Sequence, residues 1–421
     1  MPSSTHDTVV SGGSLGVLLI RGARQLVTLR GPGGPRRGPS LQELSLISDG
    51  SVLVRDGQIV EVGPTRRVEN LTAARGATEI NAAGRVVLPG FVDCHTHLMF
   101  PPAGMPGDED RAARVVRSST ARRLMFRARA YLEAMARHGT TTVEVKTGCG
   151  PDESAEVKIL RVLSSLRHNP VDLVPSFLFR LPASLNGSVG TAADWVMGEL
   201  LPKIRRRKVA QFADLAWDTN PTLAQYFERY LSAARALGFR CKIHADQRDP
   251  ERAIEMALRH KVVSIDHLEH AGEAGAAALA EAGIIATLLP CASFRNGQPA
   301  PARALVDAGV PVALASNFNP HHTPTLNMQG VVTMACWRFG LSVAEALNAA
   351  TYNGAHALGC ADRVGSIEPG KSADLILLNT SDYRDLAVNV GTNLVHLTMK
   401  RGKVIYKEGV VAPQAPEALL A

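Results

Sequence analysis

From about residue 87 to residue 315 the chain repeats one unit, a short β-rich apolar run followed by a stretch with helical 3.6-residue apolar spacing. After Val87–His97 the runs are Thr141–Lys146, Leu173–Leu178, Gln211–Ala216, Arg240–His244, Val262–Asp266, Ile284–Leu289 and Pro311–Ala315. Segments such as Ala155–Arg167, Thr222–Leu237 and Pro250–Arg259 read as single connecting helices. Eight β-then-α units predict an α/β protein, a (β/α)8 TIM barrel. A doubly wound open sheet is the alternative, but no glycine-rich phosphate loop follows any run.

Both chain ends have a different texture. Val17–Ile20, Ser51–Val54 and Gln58–Val62 are short β-like runs, the last two joined by Asp56-Gly57, a hairpin signal. Gly31–Pro39 must be a loop. Beyond two helical segments, Val343–Ala349 and Asn353–Leu358, β texture returns at Ile367–Gly370, Ala373–Leu378, His396–Lys400 and Lys403–Tyr406. We therefore expect a disordered arm at 1–13 and a metal-binding barrel at 89–364. A small β-sandwich domain at 14–88 and 365–412, built from both chain ends, would flank the barrel.

Composition closes off several classes. The 421 residues are 45% hydrophobic and 20% charged, as in a soluble globular protein. The net charge of +7 is dispersed, and its densest run, Lys203–Lys208, reads as a solvated helix end. No basic patch with interleaved aromatics suggests nucleic acid, and no apolar run reaches membrane-spanning length. Six cysteines without a CxxC pair fit reduced thiols, so a cytoplasmic location is expected.

Barrel sites lie at the carboxyl ends of the strands, so the polar residues there are the candidates. His95 and His97 end the first run on one face of a strand. His244 ends the fifth run and His267 follows the sixth. Four imidazoles on one rim point to a metal site, and imidazole ligands suit zinc or iron as one divalent ion with a bound water. The partner would be a small-molecule substrate.

The layout resembles the amidohydrolase superfamily and, within it, the imidazolonepropionases, cyclic-amide hydrolases of histidine breakdown. The resemblance rests on Leu88–His97, Glu144–Gly150, His244-Ala245-Asp246-Gln247, Asp266–Glu269, Asn317–Pro320 and the C-terminal Gly365–Leu375. It implies His95, His97 and His244 as metal ligands, with residue 317 completing the set. It implies His267 as the group that polarises the carbonyl or moves a proton, and Gln247 as a contact to the substrate ring. A homodimer fits the resemblance as well.

Several positions depart from the family pattern. The metal-binding, proton-shuttling aspartate after strand eight is Asn317, whose amide accepts no proton at neutral pH. In the substrate-binding positions Cys149 replaces a tyrosine, Phe179 a histidine and Asp218 a glutamate. Arg180 and Arg295 are candidates to meet an anionic group, while His321 and His322 could take over proton transfer. The sequence leaves three functions open: a metal-dependent hydrolase opening a small cyclic amide, a cyclase or dehydratase/lyase-type enzyme on the same scaffold, and a silent barrel retained as a binding protein.

Overall fold

The computed structural model describes residues 16–100, 109–148, 153–166, 170–181, 189–245, 250–320 and 322–409. The expected arm at 1–13 lies outside them. The chain begins with strands β1 (Val17–Val27), β2 (Leu46–Arg55), β3 (Gln58–Pro64), β4 (Thr78–Asn81) and β5 (Val86–Pro89). Eight strands follow: β6 (Phe91–Asp93), β7 (Thr140–Lys146), β8 (Asp172–Phe179), β9 (Phe212–Ala216), β10 (Arg240–His244), β11 (Ser264–Asp266), β12 (Ile285–Leu288) and β13 (Val312–Leu314). They pair in parallel and in chain order. At the rim a parallel bridge between Thr96 and Phe318 joins the two ends of this sheet, and the His97 amide donates to the Phe318 carbonyl at 2.7 Å. The result is the TIM-type barrel.

The last strands, β14 (Leu375–Leu378), β15 (Val395–Lys400) and β16 (Lys403–Lys407), return to the chain start. They complete one mixed sheet in the order β16-β15-β14-β5-β1-β2-β3, with β4 on β1. Its two faces have separate partners. Ile20, Leu26, Val52, Val54, Val87, Leu375, Leu377 and Met399 enclose the sheet's own core. The alternate residues Val86, Leu88, Ile376 and Leu378 join the barrel's core. At the β2–β3 hairpin Asp56 and Gly57 both have positive φ, 51° and 81°. That geometry matches the twist of the strands, and a Cβ on Gly57 would stand 2.7 Å from the Arg401 carbonyl oxygen.

The run Val87–His97, read as one strand, is two strands in two sheets. β5 belongs to the mixed sheet and β6 to the barrel, and Gly90 between them turns the chain from one to the other. A Cβ there would collide with the Thr141 side chain. His95 and His97 consequently lie beyond β6 rather than on it. Ile367–Gly370 is a turn, not a strand, although its ends hydrogen-bond to the Thr28 and Ile59 carbonyls.

Not every connection is a single helix. Between β6 and β7 stand helices Glu109–Ser118 and Ala121–Arg137; between β12 and β13 stand Pro290–Asn296 and Ala302–Asp307. Ala121–Arg137 is capped by Thr120, whose hydroxyl accepts from the Arg123 amide. It buries Leu124, Ala128, Leu132 and Met135 against the barrel. The loop around Gly31–Pro39 is held from inside. Buried Arg36 donates to Asn348 Oδ1 and to the Leu29 and Arg30 carbonyls, and lies over the Tyr352 ring. Arg205, Arg206 and Arg207 are exposed at a helix end, as expected. No helix among the described residues is long and apolar enough to cross a membrane.

Candidate metal centre at the barrel rim

The barrel interior is charged before it is catalytic. On β7 the apolar Val143 and Val145 alternate with Glu144 and Lys146, so both charged side chains point the same way. Asp214 on β9, Lys242 on β10 and Asp266 on β11 face the same space, every one fully buried. Lys146 bonds Asp214 and lies 2.9 Å from Asp266 Oδ2. Lys242 donates to Glu144 Oε2 at 2.7 Å, and the Ser176 hydroxyl donates to Glu144 Oε1. Two ammonium groups therefore face three carboxylates, leaving negative charge directly under the rim.

Asp266 links this network to the histidines. Burial alone would raise its carboxyl, but Lys146 and His95 hold it well below the usual range. As a carboxylate it can only accept, so His95 Nδ1–H donates to it at 2.7 Å. The His95 Nε2 lone pair is thereby turned to the rim, 3.2 Å from His97 Nε2. The His244 ring centroid lies 4.8 Å from that of His95, tilted against it, and 4.8 Å from that of His267, edge-on to it. One ligand atom from each of His95, His244 and His267 lies within 4.8 Å of the others. His97 stands beside this trio, 5.4 Å from His244 by ring centroids.

Asn317 is placed by its neighbours. Asp93 accepts from the Ser316 amide at 3.0 Å and hydroxyl at 2.5 Å, and Phe318 pairs with Thr96 on the other side. Between these ties Asn317 adopts a left-handed φ of 51°, a conformation that asparagine and aspartate tolerate better than most residues. Its Oδ1, with His97 Nδ1 and His244 Nδ1, is buried and has no hydrogen-bond partner among the described residues. Unpartnered polar atoms, clustered imidazoles and excess negative charge beneath them form a site that suits a cation.

The other candidates are dispersed. Cys149, Gln247 and His321 lie outside the described residues. Phe179, at the end of β8, is buried in a stack on Tyr230 at 4.4 Å. Arg180 follows it, half-buried, and its charge bears on His97. Asp218 is exposed and caps a turn, accepting from the Asn220 amide at 2.8 Å. The His322 carbonyl accepts from exposed Arg295.

The rim's pH response follows from burial. The His95 imidazole is pushed down to about 4 by burial and by Lys146, and His97 and His244 fall well below their usual value. As pH falls below about 6.5 the unfolded chain takes up these protons while the folded chain does not, so stability is lost between pH 6.5 and 4. His95 alone contributes on the order of 3 kcal/mol. Asp93 and Asp214, both raised to about 6 mainly by burial, act the other way in that window and offset part of the loss. The denaturant midpoint of metal-free protein should therefore fall from pH 7 to pH 5. A flat or rising midpoint would contradict these assignments.

Comparison with known proteins places this geometry. Residues 86–405 match the model of the amidohydrolase family. The chain is 38% identical to the imidazolonepropionase of Parabacteroides distasonis, covering 92% of this chain and 98% of the relative. It is 37% identical to that of Solibacter usitatus, covering 91% and 97%. Among solved structures, a zinc-bound adenosine deaminase from Xanthomonas campestris aligns with a TM-score of 0.71 at 21% identity, over 96% of each chain. A zinc complex of an atrazine chlorohydrolase from Arthrobacter aurescens aligns at 0.73 and 19%, over 93% of this chain and 95% of that one. These distant structures share the fold.

Proposed function

This chain belongs to the amidohydrolase family and is a hydrolase of carbon–nitrogen bonds; on that premise we propose that it uses one divalent metal ion to open a small cyclic amide of the imidazolone type. The observation that carries the reading is the convergence of His95, His244 and His267 above an interior with more carboxylates than ammonium groups.

His95, His97 and His244 would hold the ion, with the Asn317 amide oxygen beside them. Zinc or iron suits this donor set. Bound there, the ion supplies a water acidic enough to yield hydroxide near neutrality. Asp266 fixes the tautomer of His95 and thereby the direction of its lone pair. His267, beside these ligands, would take a proton from the attacking water and pass it to the leaving nitrogen. Arg180, near His97, would orient an anionic arm of the substrate.

A screen of cyclic amides with metal-loaded protein tests the reading. Turnover should vanish on chelation and return with zinc or iron, and loaded protein inert toward every ring would overturn it. Asn317 is the observation that favours a non-hydrolytic step instead. A product of unchanged mass, with no water added, would identify one.

A further inference from the structure

We propose that Glu269, braced by Ser293, is a positioning residue that sets the tautomer and aim of His267, so that His267 does the proton work which Asn317 cannot. The inference rests on the hydrolytic reading.

After β11 the chain takes two left-handed residues in succession, His267 at φ 77° and Leu268 at φ 68°. Neither is glycine, and such conformations are strained and concentrate at functional sites. The curl sets the Glu269 carboxylate against its neighbour: Oε1 lies 3.2 Å from His267 Nδ1. The same oxygen accepts from the Ser293 hydroxyl at 3.1 Å. Ser293 is itself buried, in the short helix that follows β12. The Glu269 side chain has no exposure, and Oε2 finds no partner among the described residues.

A carboxylate fixed in this way is an acceptor only. Its contact therefore places the His267 proton on Nδ1 and leaves the Nε2 lone pair for the rim, where His244 stands 4.8 Å away between ring centroids. Among the described residues, two other buried carboxylates near the rim are engaged: Asp93 holds Ser316, and Asp266 holds His95 and Lys146. In ring opening, the oxygen of water bonds to the carbonyl carbon as the carbon–nitrogen bond breaks. The water's proton passes to His267 Nε2 and then to the departing nitrogen, while Nδ1–H stays with Glu269.

The test pairs a spectroscopic readout with kinetics. In metal-free protein carrying 15N-labelled histidine, with the His267 signals assigned by their loss in His267→Gln, wild type should show the Nδ1–H tautomer. Glu269→Gln, whose amide can donate as well as accept, should populate Nε2–H. In the metal-loaded enzyme the same substitution should lower kcat about 10²-fold with KM within about threefold and zinc stoichiometry unchanged. Ser293→Ala should keep the tautomer and lower kcat less than about tenfold. A wild-type Nε2–H tautomer overturns the proposal, as does a Glu269→Gln enzyme with unchanged tautomer and kcat within about threefold of wild type. Wild-type protein that turns over no cyclic amide ends the hydrolytic reading and its proton path. The tautomer of metal-free protein decides the Glu269 contact separately.

Discussion

Asn317→Asp should raise turnover of a cyclic amide by about 10²-fold, the lower end of what a positioned general base contributes. The backbone is already suited to the change, since φ at 317 is 51° and aspartate tolerates that region about as well as asparagine. The flanking ties, Ser316 to Asp93 and Phe318 to Thr96, do not involve the side chain at 317. The change would exchange an amide that accepts no proton for a carboxylate that does. It would also supply a second proton path, so Glu269→Gln should cost less in the Asn317→Asp background than in wild type. That non-additivity is measurable as a double-mutant cycle. Equal or lower turnover in Asn317→Asp would mean that the missing carboxylate does not limit this site.

Lys146→Met should have the largest effect on stability, a loss of about 3–5 kcal/mol, with a lower denaturant midpoint at unchanged slope. Lys146 is fully buried between Asp214 and Asp266. Its ammonium is held well above the usual range by those two and Glu144, against the opposing effect of burial. Removing it strands two carboxylates in the barrel interior. Lys146→Met with Asp214→Asn should recover part of the loss, because one stranded charge goes with it. A single variant within about 1 kcal/mol of wild type would show that Lys146 does not balance the interior charge.

The barrel is legible in the sequence because each strand is a short apolar run between helical periods. Arg240–His244 coincides with its observed bounds, and the neighbouring runs shift by a residue or two. The first strand reads wrongly because Val87–Asp93 is almost wholly apolar, and only the packing of Gly90 against Thr141 shows the change of sheet. The rim histidines are visible as strand-end residues. The interior ion network is not, although it leaves a trace. Glu144 and Lys146 alternate with valines in a run otherwise fit for a core. Which charges neutralise which depends on strand order, since Lys146 on β7 meets Asp214 on β9 only across the intervening β8. The Glu269–His267 contact is hidden for another reason. It depends on two left-handed residues that carry no glycine to announce them.

The most direct test of the account is the fate of labelled water. Zinc- or iron-loaded protein is incubated with an imidazolone ring bearing a propionate arm in oxygen-isotope-labelled water, beside His95→Ala treated alike, and the products are weighed by mass spectrometry. One labelled water should be added per ring opened by wild type and none by His95→Ala. Ring recovered unchanged from the loaded wild type, or converted without gain of water, would contradict it.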